Sequence, residues 1–472
     1  MGKPLAALLA GAAIAMAPAH ALAAERPWSE EVIGSHAPFD PGAADTAEKS
    51  QALVERGEAL FKGKFVGKDG AGRPDATQAI IPTKRRRPAL EAYQRLAGPD
   101  ANSCADCHFD PVLGAGAPFS GSAFVSEGFE SADFDTVDPQ FSNQRNSIAL
   151  QGVGLVELLA REMTAELHRQ RKAALAEARE TGEAVARPLS SKGVSFGAIT
   201  ARPDGIVDFA KLEGVDQDLV IRPLSHKGVI VSLRQFTVNA LNAHHGIQAA
   251  ERFGARWTGT DDFDGDGIGD EIGEGDVSAL VAWLATREAP GRKTDLPDIW
   301  REAAAEGEKR FSEIGCAECH IPALPLEAAV FTDPGPLDTA GTLRQAEVDR
   351  PIQLDLEALS WVKALPRDDQ GRILVPLFGD LKRHKVSDQR RERLGNELLA
   401  QRFVERDVFM TAELWGVGST APYGHRGDLT TLDEVIRAHA GEATEIRKRY
   451  EDLGEEDRQS IVAFLRSLEI SQ

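Results

Sequence analysis

A mainly α-helical protein, built from two similar units in tandem with loop-rich insertions, is what the sequence predicts. Three observations carry this. The pattern C-x-x-C-H occurs twice, as Cys104-Ala105-Asp106-Cys107-His108 and as Cys316-Ala317-Glu318-Cys319-His320. Before each lies a helix-period stretch with a matching core, Gly57-Glu58-Ala59-Leu60-Phe61 and Gly307-Glu308-Lys309-Arg310-Phe311. At a distance after each comes an apolar helical run with a central aromatic, Val281-Ala282-Trp283-Leu284 and Val462-Ala463-Phe464-Leu465.

The two pentapeptides use all 4 cysteines of the chain. C-x-x-C-H is the attachment signature of a c-type haem: the thiols add across the vinyl groups, and the adjoining imidazole takes the iron as proximal ligand. Zinc bound by two C-x-x-C pairs needs no histidine after each pair. A thioredoxin-like motif has no reason to occur twice with that histidine. Disulfides across two intervening residues are strained and close almost no loop. The reading is therefore two covalently bound haem c groups, on Cys104, Cys107 and His108 and on Cys316, Cys319 and His320.

The 472 residues allow two or three domains, and the formal net charge of −20 argues against nucleic acid as a partner. That charge keeps the chain soluble and suits a basic redox partner, or is only a solvated surface. Residues 1–24 read as a secretory signal peptide, with Lys3 as the positive end, an apolar stretch over 5–17 and a small-residue cleavage site at Ala21-Leu22-Ala23. No later run is long enough to span a membrane. Export agrees with covalent haem attachment, which bacteria perform outside the cytoplasm, and the expected location is a Gram-negative periplasm.

Taken in order, residues 25–44 are an irregular leader and residues 47–61 a helix. An insertion with the basic run Lys84-Arg85-Arg86-Arg87 precedes the first cysteine pair. Residues 156–186, rich in Ala, Glu, Arg and Lys, read as a solvated helix. In the second unit Ile299, Trp300, Ala303, Gly307, Phe311 and Ile314 share one helical face. A helix with Gly and an aromatic, then C-x-x-C-H, then a last helix with an aromatic resembles the small cytochrome c fold. Pro290, Gly291 and Pro297 mark a boundary, giving an N-terminal haem domain over 25–292 and a C-terminal one over 293–472.

Within the first unit, Asp262-Phe263-Asp264-Gly265-Asp266-Gly267-Ile268-Gly269-Asp270 places carboxylates at alternate positions with Gly at the sixth. This is the spacing of an EF-hand loop, in which Asp262, Asp264, Asp266 and Asp270 offer side-chain oxygens and Ile268 its carbonyl to calcium. Gly273 stands where such a loop has its bidentate Glu, with Glu271 and Glu274 flanking it. A solvated acidic turn is the alternative.

What sits opposite each iron decides its use: a second strong ligand makes an electron-transfer centre, an open position admits a small molecule. For the second haem the candidate is His439. Thr431 and Glu434 form a capping box, and Leu432, Val435, Ile436 and His439 fall on one apolar face. An inward histidine is also commonly just a satisfied core residue.

Thr420-Ala421-Pro422-Tyr423-Gly424-His425-Arg426-Gly427, followed by Thr431-Leu432-Asp433-Glu434-Val435-Ile436, resembles the bacterial dihaem cytochrome c peroxidases and the related dihaem enzyme that matures methylamine dehydrogenase. Arg145-Asn146-Ser147-Ile148-Ala149-Leu150 resembles their post-haem motif. A closer resemblance is to the dihaem oxidoreductases, also called thiol oxidoreductases. It is carried by Arg234-Gln235-Phe236-Thr237-Val238-Asn239-Ala240-Leu241-Asn242-Ala243-His244-His245-Gly246, by Leu414-Trp415-Gly416-Val417-Gly418 and by His439-Ala440-Gly441-Glu442-Ala443. The superfamily places the distal ligand of the C-terminal haem, Met or Tyr, where His439 stands. It places polar peroxide-handling groups near Glu157, which implies that Glu157 moves protons during O–O cleavage. The peroxidases have a histidine soon after their first C-x-x-C-H. Here none lies between His108 and His168, which leaves that iron open or reached from afar by His244, His245 or Glu157.

The resemblance implies a haem-dependent, peroxidase-like oxidoreductase. Electrons from a periplasmic donor, a small cytochrome or a cupredoxin, enter at the C-terminal haem and reach an N-terminal haem that reduces an oxidant such as hydrogen peroxide. Two alternatives stand: a non-catalytic dihaem carrier, and a dihaem oxidase of a partner protein or thiol substrate.

Overall fold

A computed structural model describes residues 28–95, 100–125, 142–387, 393–395 and 401–470. The expected signal peptide, residues 1–24, lies outside the described residues. Among the described residues no helix is long and apolar enough to cross a membrane.

The expectation of a mainly α protein is corrected: 37% of the structure is helix and 16% is strand, spread over many small sheets. The reason is local. The long helix Val153–Thr181 stops at Gly182, whose φ of +71° only glycine adopts freely. The chain then alternates, and Val185–Ser191, Val194–Ala201 and Val207–Leu212 form an antiparallel three-stranded sheet. Lys192 and Gly193, both at positive φ, make the tight turn between the first two strands. The other sheets are two-stranded, such as Ser120–Val125 with Ser142–Asn146 and Val330–Asp333 with Ile352–Asp355.

Two helix pairs organise the rest. Ala47–Lys62 starts at Thr46, whose hydroxyl accepts from the Lys49 amide at 3.2 Å, and it packs on Glu274–Ala285. Gly57 makes the contact: a Cβ there would lie 2.0 Å from the Ala279 carbonyl oxygen and 2.8 Å from Trp283 Cβ. Asp298–Glu313 packs in the same way on Glu455–Arg466, and a Cβ on Gly307 would lie 1.8 Å from the Ser460 carbonyl oxygen. The inward face of Asp298–Glu313 is Ala304, Gly307 and Phe311, continued by Ile314. Ile299 and Trp300, expected on it, are 76% and 39% exposed.

The expected solvated helix is also corrected. Val153–Thr181 buries Leu155, Val156, Leu159, Ala160, Met163 and Leu167, and only its outer face is wet. Those residues enter the larger core with Leu60, Phe61 and Trp283, and that core continues through Leu324, Phe331, Leu354, Ile373 and Leu377. A smaller core gathers Phe311, Ile314, Phe378, Tyr450, Ile461, Phe464 and Leu468 around the second cysteine pair.

Candidate functional site

At the first motif, Cys104–Asp106 is a single tight turn. Asp106 fastens it by accepting from the amides of Asn102 and Ser103 at 3.1 and 3.2 Å. The His108 amide reaches back to the Cys104 carbonyl at 3.1 Å, which sets the ring beside the thiols. His108 Nδ1 bonds the Ala115 carbonyl at 3.0 Å. A carbonyl only accepts, so the proton sits on Nδ1 and the lone pair is on Nε2. Burial pulls this imidazole down to about 4, so it is neutral at physiological pH. Phe61 lies 6.4 Å from the ring and stacks at 4.2 Å on Trp283.

The second motif repeats this. Cys316–Glu318 turns after Gly315 at φ +100°, and the His320 amide bonds the Cys316 carbonyl at 3.0 Å. His320 Nδ1 donates to the Phe378 carbonyl at 3.2 Å, and the ring is pulled down to about 4 by burial and then by nearby His439. Phe311 lies 6.3 Å away and meets Phe464 edge-on at 5.4 Å.

A cavity of about 360 Å³ opens beside this motif, in the size range of cofactor pockets, roughly 300–1,000 Å³. Cys316, Cys319 and His320 line one side, and Leu432, Val435, Ile436 and His439 another. The Thr431–Glu434 capping box forms as expected, and His439 closes the helix Leu432–Ala438. Its Nδ1 donates to the Val435 carbonyl at 2.7 Å, which leaves Nε2 as the lone-pair nitrogen. The lining residues fit a haem. They are largely apolar, and Arg447, whose Nε is buried without a hydrogen-bond partner and whose Nη1 lies 3.7 Å from Glu451, offers a cation to such a group's propionates. At the first motif Gln151 Oε1 is buried without a partner beside the Leu113–Gly114 loop that follows His108, and as an acceptor it offers nothing to a propionate.

His244 and His245 lie on one π-helical turn, Leu241–His245. The structure separates their surroundings. His245 is buried with Nδ1 on the Ala101 carbonyl at 2.7 Å and Nε2 toward Cys104 Sγ at 3.5 Å. His244 is near enough to His108 to lower its pKa. Glu157 is fully buried but does not line the cavity. One oxygen accepts from Arg161 at 3.0 and 2.6 Å, and the other from the Leu233 amide at 2.7 Å. Burial raises its pKa against the pull of Arg161.

Two groups in the cavity wall had no role assigned to them from the sequence. Glu413 has its carboxyl pushed up to about 7 by burial. His384 is held between Asp380 at 2.7 Å and Glu442 at 2.8 Å. Burial is the largest single influence and opposes its charge, but the hydrogen bonds to Asp380 and Cys319, together with the Asp380 charge, outweigh it and raise it to about 11. Asp380 precedes His384 by four residues, but Glu442 joins them only in the fold, and nothing in the sequence marks Glu413.

The acidic loop gathers too. Asp262, Asp264 and Asp266 bring oxygens within 4.8 Å of one another. Asp262 accepts from the amides of Gly265 and Gly267 at 2.7 and 3.1 Å, and Asp266 from that of Ile268 at 2.7 Å. Asp270 is exposed at φ +47°. Burial and then Asp266 push Asp264 up to about 7.

No family model and no curated protein matches the chain. Among solved structures, one neighbour is the hydrazine synthase of Kuenenia stuttgartiensis pressurised with 20 bar xenon. It is 13% identical with a TM-score of 0.36, over 99% of this chain and 100% of that one. Another is a MauG-like protein associated with microbial copper homeostasis, 14% identical with a TM-score of 0.29, over 57% of this chain and 77% of that one. Likenesses of this size decide neither fold nor chemistry.

Proposed function

We propose that this chain is a periplasmic c-type dihaem oxidoreductase, with Cys104, Cys107 and His108 holding one haem c and Cys316, Cys319 and His320 the other. When bound, haem c supplies an iron that exchanges single electrons and, where an axial position is free, takes a small ligand. The observation that carries the reading is the common state of three imidazoles. His108, His320 and His439 each donate through Nδ1 to a backbone carbonyl, so each presents an Nε2 lone pair, the arrangement of metal-ligating histidines.

The two sites differ on the far side. His439 is fixed at a helix end and faces His320 across the apolar cavity, which suits electron transfer with a small cytochrome or cupredoxin. His244 sits on a π-helical turn that continues the helix Leu233–Ala240, and such turns recur at functional sites, which suits a site that admits an oxidant such as hydrogen peroxide. The closeness of His244 to His108 also favours a second reading, a carrier in which both sites carry two histidines.

The test is a pyridine haemochrome count with EPR of the oxidised and half-reduced protein. Two haems with one high-spin signal and turnover of peroxide support the enzyme. Two low-spin signals and no carbon monoxide binding support the carrier. No covalent haem ends both.

A further inference from the structure

We propose that Glu271 completes a calcium site with Asp262, Asp264 and Asp266, and that this site clamps the turn carrying His244 and His245.

Two deeply buried oxygens, rather than the acidic loop itself, point to a cation. Asp264 is 0% exposed and its Oδ2 has no hydrogen-bond partner. Glu271 is 2% exposed and feels the charges of Asp264, Asp266 and Asp262. The cation close to this group is Lys84, whose Nζ lies 4.4 Å over the Phe263 ring, and a single surface ammonium does not neutralise four carboxylates. Burying ionised oxygens is costly unless they are paired or coordinate a metal. Calcium takes six to eight oxygens in flexible geometry, whereas magnesium demands a near-ideal octahedron and keeps its waters. Gly265 and Gly267, at φ +77° and +93°, turn the loop between its carboxylates. An EF-hand loop closes with a Glu at its last position. Here Gly273 stands there, and the buried Glu271, two residues before it, lies outside the three gathered carboxylates but within reach of their charge.

The same carboxylate holds the histidine turn. Glu271 Oε2 accepts from the Gln248 amide at 2.5 Å, and its Cδ would lie 2.4 Å from a Cβ on Gly70. Gly246 lies so close to Gly72 that a Cβ on it would fall 2.4 Å from the Gly72 carbonyl oxygen. The Gly72 amide in turn bonds the His245 carbonyl at 3.2 Å. Residues 70–72 and 246–248 thus frame the turn, and Glu271 touches both. With the cation removed, mutual repulsion of the carboxylates loosens Glu271 and, through it, His244 beside His108 and His245 beside Cys104. The effect on the first haem rests on the two-haem reading; the cation site and the clamp do not.

The experiment uses the full chain as isolated, stripped with chelator and titrated with calcium chloride or magnesium chloride. Calorimetry reads binding, and hydrogen exchange over residues 241–250 reads the clamp whether or not haem is present. Calcium should bind at one site and slow exchange in that segment, and magnesium should do neither. Glu271→Gln should weaken calcium binding by about tenfold or more, and so should Asp266→Asn, nearer the surface. Absence of calcium binding, or both variants binding like the wild type, overturns the site. Binding without a change of exchange overturns the clamp. In haem-loaded protein, calcium removal should alter the spectrum of one haem only.

Discussion

At His439 one ring nitrogen is committed to Val435 and the other faces the cavity beside His320. His439→Ala removes that second lone pair and the ring's bond to the Val435 carbonyl at the helix C-terminus, and it leaves the N-terminal capping box of Thr431 and Glu434 intact. The expected outcome is conversion of one low-spin EPR signal to high-spin, new carbon monoxide binding and an unchanged haem count. Glu157 makes the opposite kind of case. Its carboxylate is committed to Arg161 and to the Leu233 amide, and Arg161 is itself mostly buried. Glu157→Ala leaves that guanidinium its bonds to the Thr332 hydroxyl and carbonyl but takes away the Glu157 charge, and loss of one partner of a buried pair costs about 3–5 kcal/mol. Chemical denaturation should show that loss, with both haem spectra retained; an intact stability with peroxide turnover abolished would restore the proton-moving role that the family resemblance implies.

The helix pairs belong to the next scale. Gly57 and Gly307 are the points where two backbones touch, and the nearest atoms are carbonyl oxygens, which have no side-chain freedom to move aside. Gly307→Ala should force Asp298–Glu313 away from Glu455–Arg466 and cost about 1–3 kcal/mol, with more at contacts this tight. The melting temperature falls, and the absorbance of the second haem shifts before that of the first. Gly57→Ala should reverse which haem responds. These helices were legible because their signals are local: Gly and Phe on one helical face, Thr431 with Glu434, aromatics in apolar runs. The small sheets were not, because strands as short as Ile373–Val375 are chosen by their partner, here Leu324–Leu326, and not by their own pattern. The buried face of Val153–Thr181 was hidden in the same way. Its first turns read as apolar, but the Ala-, Arg- and Glu-rich remainder diluted the period over the full length. Glu157 was selected by position relative to Arg145-Asn146; of its actual partners Arg161 stands four residues on along the same helix, and Leu233 lies in a distant segment that no spacing connects.

At the scale of the molecule, a buried ionic network joins segments that are far apart in sequence. Arg234 bonds Asp333 at 2.7 Å and pairs with Glu251, Arg161 pairs with Glu157, and Asp338 accepts from Ser232 and, at 2.6 Å, from the Gly335 amide. The acids outnumber the guanidiniums, and the excess shows at Asp338. Burial, and then the charge of Glu157, push it up to about 7 from an ordinary 3.8. Between those values the folded chain holds a proton that the unfolded chain has released. This contribution is therefore fully present below about pH 4, is lost as the pH rises through 7, and is level above that. Asp338→Asn keeps both contacts, since its amide oxygen accepts from Gly335 and its NH₂ donates to Ser232, and it carries no charge at any pH. Relative to the wild type, the variant should gain stability steadily from pH 4 to pH 7, by up to about 4 kcal/mol, and show no further gain at pH 8. Denaturation midpoints across that range check it; a wild-type and variant difference that is flat with pH means that Asp338 is ionised in the folded chain and that Arg234 neutralises it.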